Sequence, residues 1–480
     1  MPKLENLNPE RVFHYFEEIS SIHRGSGDME AISQYCIEFA KSHGLRYYAD
    51  ADKNVVIYKD GSNGYENSEP VILQGHLDIV CQKTADCDID FLKDGLNIYV
   101  DGDFIKARGT TLGADNGIAV AMVLSILESD SIAHPPIEAV FTTDEETGMY
   151  GAKGLDMSVL KAKRMINLDS EEDDCITVSC AGGSDFKVTQ KLNFKKSEGT
   201  KVTVAFDGLM GGHSGVEINK GRANANIVAG KFLNHLHRKT LFEIININGG
   251  DKANAIPVKC CVELCVKNLD ENIAIINESL ELIKLEYSDR EKKMNISVDV
   301  SESGIFDVIS LDDTKKLICA LSCTPNGVLE MSKSIDGLVE TSLNLGVLKI
   351  DNDVLTIHYG LRSNRQISLR TLEEKMMTFY DNLSFKWECF GHYPPWEYRE
   401  NSKLRELYKK TYVEQFDKEP RVEALHAGLE CGIFASAIND FDCIAIGPTI
   451  FDVHTVNEKL SITSTTRIYS TLVKLLAKMQ

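Results

Sequence analysis

The chain has 480 residues, enough for two to three domains at about 150 residues each. A hydrophobic fraction of 43%, a charged fraction of 26% and only 11 prolines fit a folded globular chain and exclude a disordered or collagen-like one. No apolar run approaches the roughly 18 residues of a membrane span, and 72 acidic against 52 basic side chains leave a net charge of −20, which disfavours nucleic-acid binding because phosphate backbones are repelled.

The first residues alternate charged and apolar side chains, so no signal peptide is expected there. The 13 cysteines are an odd number without a CxxC pair, a pattern that suits reduced thiols in a cytoplasm. A first helix is predicted from about Asn8 to Ile22, with Pro9 in its first turn, and a second from Met29 to His43. Short apolar runs follow at Val71–Leu73, Ile137–Phe141, Met165–Leu168 and Cys443–Ile446, each ending in Gly, Thr or an acidic residue. Between the first two, Asn116–Leu127 is apolar on every face and predicts a buried helix. Strands alternating with helices predict an α/β domain with a largely parallel, mixed sheet flanked by helices.

From about Ser184 the texture becomes α+β. Strands are predicted at Lys201–Phe206 and Val258–Val266, separated by one helix, Ala225–His237. A similar order recurs as strand Asn295–Val300, helix Asp313–Cys323 and strands Leu345–Ile350 and Val354–Tyr359. Asn254 in ANAIP and Asn344 in SLNLG stand 90 residues apart, which suggests a degenerate duplication. Helices near Ser402–Phe416 and Glu430–Ala437, and a last one from Thr466, return to the α/β texture. The expected organisation is therefore a catalytic domain over 1–183 and 395–480, interrupted by a lid-like or dimerisation-like domain over 184–394.

Metal-competent side chains cluster at the predicted strand ends. His76 and Asp78 follow one strand, Glu145 and Glu146 another, Asp169 a third and His454 a fourth, while Asp115 opens the buried helix. Open α/β sheets bind ligands beyond the carboxyl ends of their strands. Singly, each residue has a plainer reading: a loop His–Asp pair, a solvated Glu–Glu face, or a helix N-cap for Asp115. Together they point to one metal-binding edge.

The ordered set GHLDIV, TTLGADNG, TTDEETGM, INLDSEE, GGHSG and GPTIFDVHT resembles the M20-type co-catalytic metallopeptidases, within them the branch of non-specific and aminoacyl-histidine dipeptidases. The likeness runs along essentially the whole chain. It implies two divalent ions bridged by Asp115, with His76 and Asp169 completing one site and Glu146 and His454 the other. Two dications, three carboxylates and a bridging hydroxide sum to zero charge, which limits the cost of burial. Zinc is the favoured metal, and the ligand set also admits manganese or cobalt. Asp78 is expected to orient His76, Glu145 to act as general base, and His213 to donate to the oxyanion. Asn254, Arg362, His426 and Glu430 resemble substrate contacts, and Arg362 suits a peptide carboxylate.

The family also implies a cis peptide at Asp115–Asn116. Asn219 and Val456 depart from its usual His and Pro. In relatives with a small lid the equivalent of His213 comes from a partner subunit, so a homodimer is compatible with this chain. The implied activity is hydrolysis of dipeptides, Xaa-His among them. Tripeptide aminopeptidase, N-acyl-amino-acid deacylase and a non-catalytic metal-stabilised scaffold are the alternatives. Glu145, which needs no charge for structure, argues against the scaffold.

Overall fold

A computed structural model describes residues 3–480. The chain divides into two compact units: Met1–Cys180, Tyr398–Ala424 and Leu429–Gln480 form the first, and Ala181–Glu397 with Leu425–Gly428 the second. The sequence expectation placed 1–183 and the whole of 395–480 in the first unit. Residues 181–183, 395–397 and the tetrapeptide carrying His426 instead belong to the second.

The first unit opens with helices α1 (Glu10–Ser20) and α2 (Glu30–Ser42). In α1, Val12, Phe13, Phe16 and Ile19 are fully buried, a stripe at helical spacing. Pro9 stands at the N-cap position, one residue before the first turn where it was expected, because the helix proper begins at Glu10. The strands are β1 (Arg46–Ala49), β2 (Val55–Lys59), β3 (Val71–His76), β4 (Ile137–Thr142), β5 (Arg164–Asn167) and β6 (Cys175–Cys180). Helix α3 (Ala114–Glu128) precedes β4, and its residues from Gly117 to Leu127 are all buried. The expectation of a helix apolar on every face is met there.

The second unit contains β7 (Gly182–Lys191), β8 (Phe194–Asp207), α4 (Ala225–Lys239), β9 (Glu243–Gly249), β10 (Cys260–Val266), α5 (Leu269–Tyr287), β11 (Asn295–Ile309), α6 (Leu311–Cys323), β12 (Val339–Asp351), β13 (Val354–Ser363), α7 (Gln366–Asn382) and β14 (Lys386–Tyr393). The chain then returns to the first unit through α8 (Lys403–Phe416), reaches β15 (Arg421–Leu425), whose last residue belongs to the second unit, and ends with α9 (Cys431–Ala437), β16 (Asp442–Ala445) and α10 (Ile462–Leu476).

The eight-stranded sheet of the first unit runs β1-β2-β4-β3-β5-β16-β6-β15. Its four central strands, β4-β3-β5-β16, are parallel, whereas β2 pairs β4 and β16 pairs β6 antiparallel. The predicted mixed sheet is thus parallel at its centre, where β3 and β4 are buried at every residue.

The main sheet of the second unit is antiparallel in the order β11-β8-β10-β9-β12-β13-β7-β14. Its halves mirror each other. One is β8-α4-β9-β10-α5-β11; the other is β7 followed, after that insertion, by α6-β12-β13-α7-β14. They join where Asn248 and Gly249 of β9 face Lys349 and Leu348 of β12. The topology thus has two similar halves, but they are not the repeats expected from the sequence. Strand β11, expected to open the second repeat, pairs with β8 in the first half, and β7 stands in its place in the second. Asn254 follows β9, whereas Asn344 lies within β12. Helices α5 and α7 were absent from the sequence reading. Their buried stripes are narrow (Ile276, Leu280, Ile283 and Tyr287 in α5) and set among charged residues, so their periodicity is weak.

Candidate metal centre

In the first unit, β3 ends on His76, β4 is followed by Glu145 and Glu146, β5 by Asp169 and β16 by the loop to His454. The peptide Asp115–Asn116 at the start of α3 is cis, as the family resemblance implied. Asp115 Oδ1 lies 3.1 Å from His76 Nε2, and its Oδ2 lies 3.1 Å from His454 Nε2. His76 Nε2 is 3.5 Å from Asp169 Oδ1, and His454 Nε2 is 3.0 Å from Glu146 Oε1. Two sets, His76–Asp115–Asp169 and Asp115–Glu146–His454, each bring their ligand atoms within 4.8 Å of one another and share Asp115. One carboxylate with an oxygen turned to each imidazole is the arrangement a bridge between two cations needs. The donor set is borderline in hardness and largely buried, so it fits a pair of divalent ions.

The electrostatics agree with a site built for positive charge. Burial pushes the Asp115 carboxyl up, but hydrogen bonds with His454 and His76 outweigh it and hold the group below its ordinary range. Burial raises Asp169 to about 6, with His76 opposing. Hydrogen bonds to Asp115 and Glu146 raise His454 to about 11. Divalent ions bound here would serve as the counter-charge of these carboxylates.

Asp78 anchors three groups at once. Its carboxylate accepts the main-chain N–H of Glu145 at 3.0 Å and of Glu146 at 3.2 Å, and the Ser26 hydroxyl at 2.8 Å. His76 Nδ1 is 3.1 Å from the Asp78 carbonyl oxygen and 3.4 Å from its carboxylate. The main-chain oxygen, rather than the expected carboxylate, is the nearer acceptor for the imidazole. Glu146 bonds His454, whereas Glu145 lies within ligand range of His76 and, under burial first and His76 in opposition, is shifted well above the usual carboxylate range. His454 has a left-handed backbone at φ 62°, a conformation that costs a non-glycine residue of order 1 kcal/mol and clusters at functional sites.

Several positioning residues escape sequence reasoning. The buried Glu458 carboxylate accepts the N–H groups of Leu112, Gly113 and Ala114 at 2.8–3.0 Å, cradling the turn that presents Asp115. Buried Arg24 donates to the carbonyls of Leu77 and Gly113. Asn116 accepts from the His76 N–H and donates to the Leu168 carbonyl, linking the segments that carry His76, Asp115 and Asp169. Only the place of Glu458 four residues beyond His454 offers a sequence signal.

The expected substrate contacts separate. Glu430 is fully buried in the first unit and accepts from Gln74 and Thr142, so it supports β3 and β4 and has no exposed atom for a substrate. Burial raises its carboxyl to about 8, with His76 opposing. His426, in the second unit, is also buried: Nδ1 meets Asn364 Oδ1 at 2.9 Å and Nε2 meets the Ser342 hydroxyl at 2.7 Å. Both ring nitrogens are occupied, which corrects its assignment as a direct contact. Asn254 is exposed, and half-buried Arg362 donates to the Tyr393 hydroxyl at 2.8 Å. His213 Nδ1 accepts the N–H groups of Gly215 and Val216 at 3.2 and 3.3 Å. Burial and then the Arg362 charge lower its titration. The imidazole is thus neutral, with its proton on Nε2.

Residues 72–478 match Peptidase family M20/M25/M40, and the chain belongs to that family. It is 37% identical over 489 aligned positions to the cytosol non-specific dipeptidase of Escherichia coli K12, covering 99% of both chains. The aminoacylhistidine dipeptidase of Vibrio alginolyticus superposes with a TM-score of 0.92 at 34% identity, over 98% of this chain and 97% of that one. The aminopeptidase PepT of Bacillus cereus shares the fold, with a TM-score of 0.57 at 15% identity over 98% and 99% of the chains.

Proposed function

We propose that this metallopeptidase hydrolyses dipeptides, Xaa-His among them, at a two-metal centre held by His76, Asp115, Glu146, Asp169 and His454. The observation that carries the reading is Asp115, with one oxygen at 3.1 Å from each of two imidazoles. Full-length likeness to two dipeptidases supports the substrate class. When bound, the divalent ions supply a Lewis acid and lower the pKa of water. Zinc is the favoured occupant, with manganese and cobalt compatible.

Glu145 accepts the proton of the attacking water and returns it to the leaving amine. Asp78 holds the main chain of Glu145 and Glu146 so that the two carboxylates keep separate tasks. His213, neutral with Nε2–H available, donates to the oxyanion. Arg362 pairs with the dipeptide carboxylate and Asn254 contributes a polar contact. An acidic chain with no membrane-spanning helix among the described residues fits work in the cytoplasm, as a monomer or a homodimer. Incubation with a panel of dipeptides, tripeptides and N-acetyl amino acids tests the reading. Free amino acids should be released from dipeptides; cleavage confined to tripeptides or N-acetyl substrates would replace it with the corresponding family activity.

A further inference from the structure

The second unit holds another group of ligand-type side chains, independent of the centre described above. Glu373 on α7 and Cys389 and His392 on β14 bring a carboxylate oxygen, a sulfur and an imidazole nitrogen within 4.8 Å of one another. Cys389 Sγ is 3.5 Å from His392 Nε2, which is 3.2 Å from Glu373 Oε1. Among the described residues, no other such group contains a cysteine.

We propose that Glu373, Cys389 and His392 form a separate zinc-type site that staples the edge strand β14 to α7. The two distances from His392 Nε2 are close to those between tetrahedral corners. With about 2.3 Å to sulfur and about 2.0–2.1 Å to nitrogen or oxygen, such corners lie about 3.6 Å apart for S and N and about 3.3 Å for N and O. The 54% exposed His392 side chain leaves solvent to fill the fourth corner.

The backbone supplies a second, independent observation. In a regular strand Cys389 and His392 would point to opposite faces. The β7–β14 register instead shifts between Phe390 and Tyr393, and Gly391 there has φ 66°. This bulge, which glycine permits, brings His392 onto the face of Cys389. Buried Ser184 donates to Glu373 Oε1 at 2.7 Å and fixes the carboxylate, as outer partners of metal ligands do. Binding of a dication to the Cys389 sulfur would displace the thiol proton to solvent. The site would also blunt an exposed sheet edge.

The centre in the first unit has no sulfur ligand, which gives the test its selectivity. Chelator-treated full-length protein is titrated with cobalt chloride and followed by near-ultraviolet absorption and by elemental analysis. A thiolate-to-cobalt charge-transfer band is expected in the wild type and should vanish in Cys389→Ser and His392→Gln. Each variant should bind one ion fewer per chain than the wild type and keep its peptidase activity within about twofold. If Cys389→Ser fails to fold, His392→Gln, at an exposed position, carries the same test. No band in the wild type, or one that persists in the folded variants, overturns the site and leaves the reading of the first centre untouched.

Discussion

Glu145 and Glu146 are adjacent and both lie within ligand range of His76, yet only Glu146 bonds His454. Replacing the first should therefore separate chemistry from metal binding. Glu145→Gln is expected to keep the wild-type metal content and to lower kcat by roughly 10²–10⁴-fold, the usual worth of a positioned general base. Loss of metal on elemental analysis would make Glu145 a ligand instead. Asp115→Ala should empty both positions, because one side chain faces both imidazoles; a variant that retained two tightly held ions would remove it as the bridge. These side chains were legible in the sequence because His and acidic residues at strand ends are conspicuous against apolar runs. Arg24 and Glu458 were not, since they act through main-chain carbonyls and N–H groups that only the folded turn brings to them. His426 and Glu430 were misread because a polar residue in a glycine-rich segment carries no sign of whether its partners are a ligand or its own neighbours.

The pairing of β3 with α3 positions His76 and Asp115 together, and Gly75 is what allows the approach. A Cβ there would stand 2.4 Å from Asn116 Oδ1 and 2.9 Å from the Ala119 Cβ. Gly75→Ala must therefore displace Asn116, whose Oδ1 accepts the His76 N–H. A loss of about 1–3 kcal/mol is expected from overpacking, read as a lower urea midpoint together with weakened metal retention. A variant with unchanged midpoint and metal content would show that the helix yields freely. At this scale the sequence was informative where an element is uniformly apolar, as in β3 and α3, since burial on every side leaves little ambiguity. It was poor for α5 and α7, whose single buried stripes lie among charges, and for strand lengths: β8 begins seven residues before the predicted Lys201 because its solvent-facing alternation masks its start.

Across the molecule, the same buried polar groups that shape the units make stability depend on pH. Burial, and then the Arg362 charge, lower His426 to about 3, whereas an unfolded histidine titrates near 6.5. Because the folded value lies below the unfolded one, its contribution is fully present above about 6.5. It is lost as the pH falls from there towards 3, at up to about 1.4 kcal/mol per unit. His426→Gln should flatten the fall in unfolding free energy between pH 7 and 5; an unaltered slope would place the acid sensitivity elsewhere. The mirrored halves of the second unit bear on a larger question, whether each chain completes its own reaction. Their joined sheet, β11-β8-β10-β9 against β12-β13-β7-β14, places both halves in one chain. The expectation is that His213 serves the Glu145 of its own chain. Glu145→Gln and His213→Ala proteins, each inactive, can be mixed under conditions that exchange subunits. If the histidine acts within its chain, every centre keeps one defect and the mixture stays inactive. If it acts on a partner, mixed dimers gather both defects at one centre and leave the other whole, so activity returns. Recovery on mixing would therefore overturn the expectation and make a dimer obligatory for turnover.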